Sequence, residues 1–167
     1  LGLRYANGKP ALYQKLLRLF FETNCQRFRE DFHAASQAGD WKAAMRMALE
    51  QGGLQPGQVG YINLHGTGTR LNDSMEAKAV HRLFGDKVPC SSTKALTGHT
   101  LGAAGATEAA LAWLLLTEDL PLPHQSYAAS ERDESLAPIE LLLAPQPLNR
   151  PVVLSNSFAV GGNNVSL

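Results

Sequence analysis

Apolar residues recur with two different periods along this chain, and the switches between them outline its elements. Between positions 11 and 29, Leu12, Tyr13, Leu16, Leu17, Phe20 and Phe21 fall at helical spacing with a polar opposite face. Asp40 stands where it can cap a second helix running to Glu50, ended by Gly52 and Gly53. Residues 59–64 form a short β-like run that delivers His65 at its end. Asp73 and Glu76 have capping-box spacing and predict a helix opening there and running to Phe84, stopped by Gly85. Residues 88–92 read as another short strand. A turn through Gly98, Gly102 and Gly105 then leads into an apolar run, residues 101–116, which reads as a buried helix. Residues 120–138 are proline-rich and mostly loop, 139–143 and 152–155 are strand candidates, and Gly161-Gly162 makes a turn before a last strand at 164–167. Strands alternating with helices imply an α/β layer architecture. Ligand chemistry then belongs at the strand ends, where His65 falls.

Composition narrows the classes. The 167 residues suffice for one domain with a sizeable core and are too few for two ordinary ones. Fifteen basic residues balance fifteen acidic ones, so the chain carries no electrostatic footprint for nucleic acid or an anionic membrane. The apolar run at 101–116 contains Thr107 and Glu108 and falls short of the ~20 residues a membrane span needs. Lys15 and Arg18 interrupt the early apolar run, which argues against a secretory signal. Cys25 and Cys90 make no disulfide framework, and a reducing cytoplasm is the expected location. Leu1 stands where an initiator methionine would, so the chain is expected to be a piece of a longer one.

The candidate chemistry sits in two small-residue turns. His65 is followed by Gly66-Thr67-Gly68-Thr69, and Lys94 and His99 lie in the run from Ser91 to Thr100. Imidazole exchanges a proton near neutral pH without a large shift, and small neighbours let a ligand approach the backbone. A metal site is the weaker reading of the two histidines, because neither an i, i+4 spacing nor a Cys/His cluster accompanies them. His81, in a polar helical stretch, and His124, in a proline-rich loop, read as surface or structural. Lys94 can be drawn into a polar network with a carboxylate such as Glu76. Cys90 looks at first like a nucleophile after a strand, but its place inside a β-like run behind Pro89 predicts a buried, inert thiol.

Four ordered motifs carry a resemblance. They are His65-Gly66-Thr67-Gly68-Thr69, the segment from Leu71 to Glu76, the segment from Ser91 to Gly105, and the segment from Leu154 to Asn163. Together they resemble the β-ketoacyl-acyl carrier protein synthases, the condensing enzymes of fatty acid and polyketide assembly. The likeness begins near Asp31-Phe32-His33 and corresponds to the C-terminal part of that family's fold. It implies a layered α/β/α, thiolase-like C-terminal half, incomplete relative to the full double-repeat fold. On this reading residues 31–167 are a ketosynthase-like domain and residues 1–30 an unassigned helical segment.

The resemblance implies that His65 and His99 are the active-site histidines, which decarboxylate a malonyl-carrier protein and stabilise the charge on its thioester oxygen. Lys94 would hold this network with Glu76 as its carboxylate partner. Phe158, Val160 and Gly161 would form the gating turn, where the backbone N–H of Val160 supplies half of an oxyanion hole. Ala159 and Val160 depart from the family's commoner Phe-Gly-Phe-Gly-Gly, which keeps the backbone donor but removes an aromatic gate. The family's nucleophilic cysteine has no counterpart before His65, and Cys25 lies in a predicted helix. The expected activity is therefore that of an acyltransferase inactive as the isolated chain. The alternative is a non-condensing, chain-length-factor-like subunit. The expected partners are acyl carrier protein and, as homodimer or heterodimer, a synthase subunit or the missing half; no cofactor is called for. Docking an acidic carrier protein needs a basic patch, and the neutral charge balance locates none.

Overall fold

The computed structural model describes residues 40–126 and 133–158, and the backbone of 165–166. Helix α1 (Trp41–Gln51) begins where expected, because the Asp40 side chain accepts the Ala43 N–H at 3.0 Å. Strand β1 (Tyr61–Asn63) follows, then helix α2 (Arg70–Phe84), closed by Gly85 at φ 67°. Strand β2 (Cys90–Ser91) leads into a single helical turn, α3 (Lys94–Thr97), which the sequence pattern did not announce. Helix α4 (Ala104–Thr117) comes next, and β3 (Val153–Ser157) and β4 (Val165–Ser166) complete the described elements.

The sheet order is β2-β1-β3-β4. Strand β1 runs parallel to both β2 and β3, placing Ile62 between Cys90 and Leu154, and Asn63 between Ser91 and Ser155; β4 is antiparallel to β3. Alternation along these strands sorts residues onto two faces. Ile62, Leu64, Cys90 and Leu154 pack with Met45 and Leu49 of α1 and with Val80 and Phe84 of α2. Tyr61 and Val153 turn the other way, to Leu115 of α4 and to Leu122 and Leu142. The result is an α/β/α layering with one core on each side of the sheet. Each large apolar side chain fully buried in it contributes about 1.5–3 kcal/mol.

Three expectations are corrected. Residues 139–143 form no strand: a single parallel bridge joins Leu141 to Cys90, in a segment set between Pro138 and Pro145. Helix α2 starts at Arg70 rather than at Asp73, so Asp73 and Glu76 lie inside it and are not its capping box. Helix α4 is not a buried helix among the described residues, since Trp113 is 62% exposed and Leu114 and Leu116 are also open. It is apolar on every side, and the described sheet covers only one of them. The predicted helix at 11–29, His33, Cys25 and the Gly161-Gly162 turn lie outside the described residues.

Candidate active site

Three chain segments leave the same end of the sheet and converge. Strand β1 exits through Leu64 into His65, which is 4% exposed. The chain then reverses at Gly66, whose φ is 41°; a Cβ there would lie 2.5 Å from the Ser92 Cβ. Glu76 fixes this turn from one helical face: its Oε1 accepts the His65 N–H at 2.8 Å and its Oε2 the Gly66 N–H at 2.9 Å. The Asn156 side-chain amide of β3 donates to the same Oε1 at 3.1 Å. A fully buried carboxylate thus ties the exit of β1 to the middle of β3. Burial outweighs these donors and raises Glu76 to about 7.

Strand β2 exits through Ser92, whose hydroxyl donates to the Gly66 carbonyl at 3.1 Å, and then into Lys94. The expected pairing of Lys94 with Glu76 is not what the structure shows. The Lys94 ammonium is ion-paired with Glu108 of α4, the two side chains being 6% and 2% exposed. Glu76 is committed to the backbone of the His65 turn instead, and α4 brings Glu108 to Lys94 across the sheet end. A signal for Glu108 was present in the sequence, as a lone carboxylate in an apolar helical run. Asn156, which anchors Glu76, and Trp41 of α1 carried no such signal.

His99, exposed and one residue beyond Gly98 (φ 73°), meets His65 edge to face with ring centroids 5.6 Å apart. Phe158, at the exit of β3, lies 5.6 Å from His65 on another side and stacks on Trp41 at 4.3 Å. These four rings, with Met75 and Leu101, line a cavity of about 510 Å³. Burial, then the Lys94 charge, then His99, hold His65 down at about 4, so it is a neutral imidazole at physiological pH. Val160 and Gly161 of the expected gating turn lie outside the described residues.

Several buried polar atoms here make no hydrogen bond to a described residue: both amide atoms of Asn63, His65 Nδ1, Thr93 Oγ1 and Glu108 Oε2. No group of three or more His, Cys, Asp or Glu side chains among the described residues could hold a metal ion. The Cys90 thiol is fully buried, faces the α1/α2 side of the sheet and donates to the Glu140 carbonyl at 3.2 Å, as its inert reading requires. His81 donates from Nδ1 to the Pro138 carbonyl at 2.7 Å, a structural contact, and His124 is a surface residue.

A neutral imidazole beside a second one, over a buried ion pair and at the end of a parallel sheet, is equipment for stabilising an oxyanion. The family described as beta-ketoacyl synthase, C-terminal domain, matches residues 20–127. The chain belongs to this β-ketoacyl synthase family and has its thiolase-like fold in part. It is 37% identical over 142 residues to 3-oxoacyl-[acyl-carrier-protein] synthase 2 of Rhizobium meliloti, covering 81% of this chain and 33% of that protein. It is 41% identical over 110 residues to synthase 1 of Escherichia coli, covering 65% and 27%. A ketosynthase from Xenorhabdus doucetiae, solved in complex with its chain length factor, superimposes with a TM-score of 0.73. That match has 60% identity and covers 75% of this chain and 32% of that one. The chain spans about a third of the length of the relatives it matches.

Proposed function

We propose that this chain is the decarboxylating, charge-stabilising portion of a β-ketoacyl-acyl carrier protein synthase. The observation that carries the reading is the His65–His99 pair in one cavity, with His65 neutral and Lys94–Glu108 buried beside it. A malonyl thioester bound there loses carbon dioxide, and the electron pair of the broken C–C bond passes into the thioester enolate. The imidazole N–H groups of His65 and His99 donate to its oxygen as the negative charge develops. The enolate carbon then attacks an acyl thioester held on a cysteine, and that thiolate leaves as the β-ketoacyl product forms.

The nucleophilic cysteine comes from outside the described residues, since Cys90 is fully buried in the α1/α2 core and does not line the cavity. The working protein is a dimer, with itself or with a second synthase subunit. A non-condensing, chain-length-factor-like role is the alternative, and the intact His65, Lys94 and His99 set weighs against it. The test is release of carbon dioxide from malonyl-carrier protein by the intact protein. His65→Ala and His99→Ala should each reduce it at least about a hundredfold, in line with the loss of an oxyanion donor. Undiminished release in both variants sinks the reading, and β-ketoacyl product lost on Cys90→Ala would overturn the placement of the nucleophile.

A further inference from the structure

Helix α1 meets the candidate site at its first residue. The Asp40 cap fixes where the helix begins, and so fixes Trp41 at the end of α1 that reaches the exits of β1 and β3. Ala44 and Met45, at i+3 and i+4 from Trp41, are fully buried, so Trp41 shares their face and extends the apolar layer to the strand exits. Its half-buried indole packs on the edge of that core and lines the cavity of the two histidines. The indole centroid lies 4.3 Å from the Phe158 ring, with the planes tilted by 44°. Phe158 is 7% exposed and stands in turn 5.6 Å from the His65 ring, at 62°. Three rings therefore run in series from α1, through the end of β3, to the imidazole. Packing of α1 on the sheet is already served by Met45 and Leu49, whereas the contact with Phe158 is a contact with the wall of the cavity.

We infer that Trp41 is a positioning residue of this site: it pins the Phe158 ring against His65 and closes the α1 side of the cavity to water. The inference rests on the function proposed above and adds to it a residue that acts through another. Donors aimed at a developing oxyanion are worth most where water is excluded and where they need not reorganise. Without the indole, Phe158 has room to swing away, water reaches the imidazole, and the geometry of the donor loosens. Burial is the largest of the causes that keep His65 neutral, ahead of Lys94 and His99, and on this side it comes from Phe158 with Trp41 behind it. The charged and titratable groups around His65 stand off this path. Lys94 of α3 is paired with Glu108 of α4, Glu76 of α2 accepts the His65 N–H, and His99 meets the ring edge to face.

The test uses the intact protein, with the His65 ring titrated by NMR and carbon dioxide release measured from malonyl-carrier protein. Trp41→Ala should raise the His65 titration from about 4 toward 6.5. It should also lower kcat by about tenfold or more with KM little changed. Trp41→Phe keeps a ring on Phe158 and should restore both. Phe158→Leu should reproduce the loss, and adding Trp41→Ala to it should cost nothing further, because the two act in series. Leu49→Ala, in the same helix and core but away from the cavity, is the control. It should lower the unfolding temperature and leave the titration and kcat as in wild type. If circular dichroism shows Trp41→Ala misfolded, Trp41→Leu, which fills space without a ring, takes its place in the comparison with Trp41→Phe. A His65 titration and kcat unmoved by loss of the indole overturn the inference and leave Trp41 a core residue. So do effects of Trp41→Ala and Phe158→Leu that simply add, or an equal shift in Leu49→Ala. A raised KM at unchanged kcat would make Trp41 a substrate contact and overturns it too. If wild type releases no carbon dioxide, the proposed function fails, while the His65 titration still decides the role of Trp41.

Discussion

Breaking the Lys94–Glu108 pair should be the most damaging conservative change in the site. The two side chains are 6% and 2% exposed, so neither charge can fall back on water when its partner is removed. Loss of one member of a buried pair costs about 3–5 kcal/mol, against about 0.5 kcal/mol for an exposed i, i+4 pair. Arg46–Glu50 on α1, at 3.6 Å and with both side chains more than half exposed, is the internal control for the second figure. The two single variants should not be equal. Burial already raises the Glu108 carboxyl, so in Lys94→Met it can take up a proton and shed its charge. Glu108→Leu instead leaves the Lys94 side chain in the interior without its counter-charge. Glu108→Leu should therefore lie at the upper end of the range and Lys94→Met at the lower end.

Replacing both residues removes both desolvated charges, and the double variant should be more stable than the sum of the singles predicts. Urea denaturation of the four proteins measures the coupling. A second readout is the titration of the His65 ring by NMR. The Lys94 charge is second to burial in holding His65 at about 4, so Lys94→Met should raise it, though not to the 6.5 of a free imidazole. Singles that each cost under about 1 kcal/mol and simply add would refute the buried-pair reasoning. A His65 titration unmoved by Lys94→Met would refute its electrostatic link to the imidazole.

Stability against pH separates two opposed groups. His65, held at about 4 against 6.5 when unfolded, makes the unfolded state bind more protons in that window, so it costs stability as pH falls. Glu76, raised to about 7 from 4.5, makes the folded state bind more protons and gains stability as pH falls. Between 4.5 and 6.5 the two offset, and Glu76→Gln should unmask a loss of roughly 1.4 kcal/mol per pH unit on acidification; a flat urea midpoint in that variant counts against it. Gly66→Ala, set at φ 41° with its new Cβ 2.5 Å from Ser92, should cost about 1–3 kcal/mol and displace His65. Its thermal unfolding and decarboxylation rate are the checks, and wild-type values in both would remove the argument for strain. The isolated chain should self-associate through the open side of α4, where Trp113, Leu114 and Leu116 are exposed. Light scattering showing one monodisperse monomer would count against that.

Local signals were legible where local physics decides. The Asp40 cap and the Gly52-Gly53 stop located α1, the β-like run placed His65 beyond β1, and the glycines marked the turns that hold His65 and His99. The partner of Lys94 was not legible, because spacing along the chain says nothing of how α4 is rotated over the sheet end. Glu76 was noticed for a wrong local reason. Asp73 and Glu76 share capping-box spacing, but Glu76 turns from inside α2 toward the backbone of a preceding turn, a tertiary contact that competes with no capping rule. Residues 139–143 have strand composition, yet neighbouring prolines leave room for one bridge only.

The buried contacts of the candidate site depend on one another. Burial and then the Lys94 charge hold His65 neutral, Glu108 pairs that charge in the interior, and Glu76 with Asn156 holds the backbone of the His65 turn. These dependencies act over contact distances and are buried, so they cannot be shared across a loosely fitted boundary without leaving a charge unpaired. All of them close within the described residues. On the function proposed above, the acyl-bearing thiol makes no such demand: it has only to be presented at a cavity about 510 Å³ in volume, beside His65 and His99. Cys90 does not line that cavity, since alternation along β2 buries it in the α1/α2 core with Ile62 and Leu154. On the function proposed above, the charge-stabilising half of the chemistry is built as one unit, and the acyl thioester is brought to it at the cavity of His65 and His99.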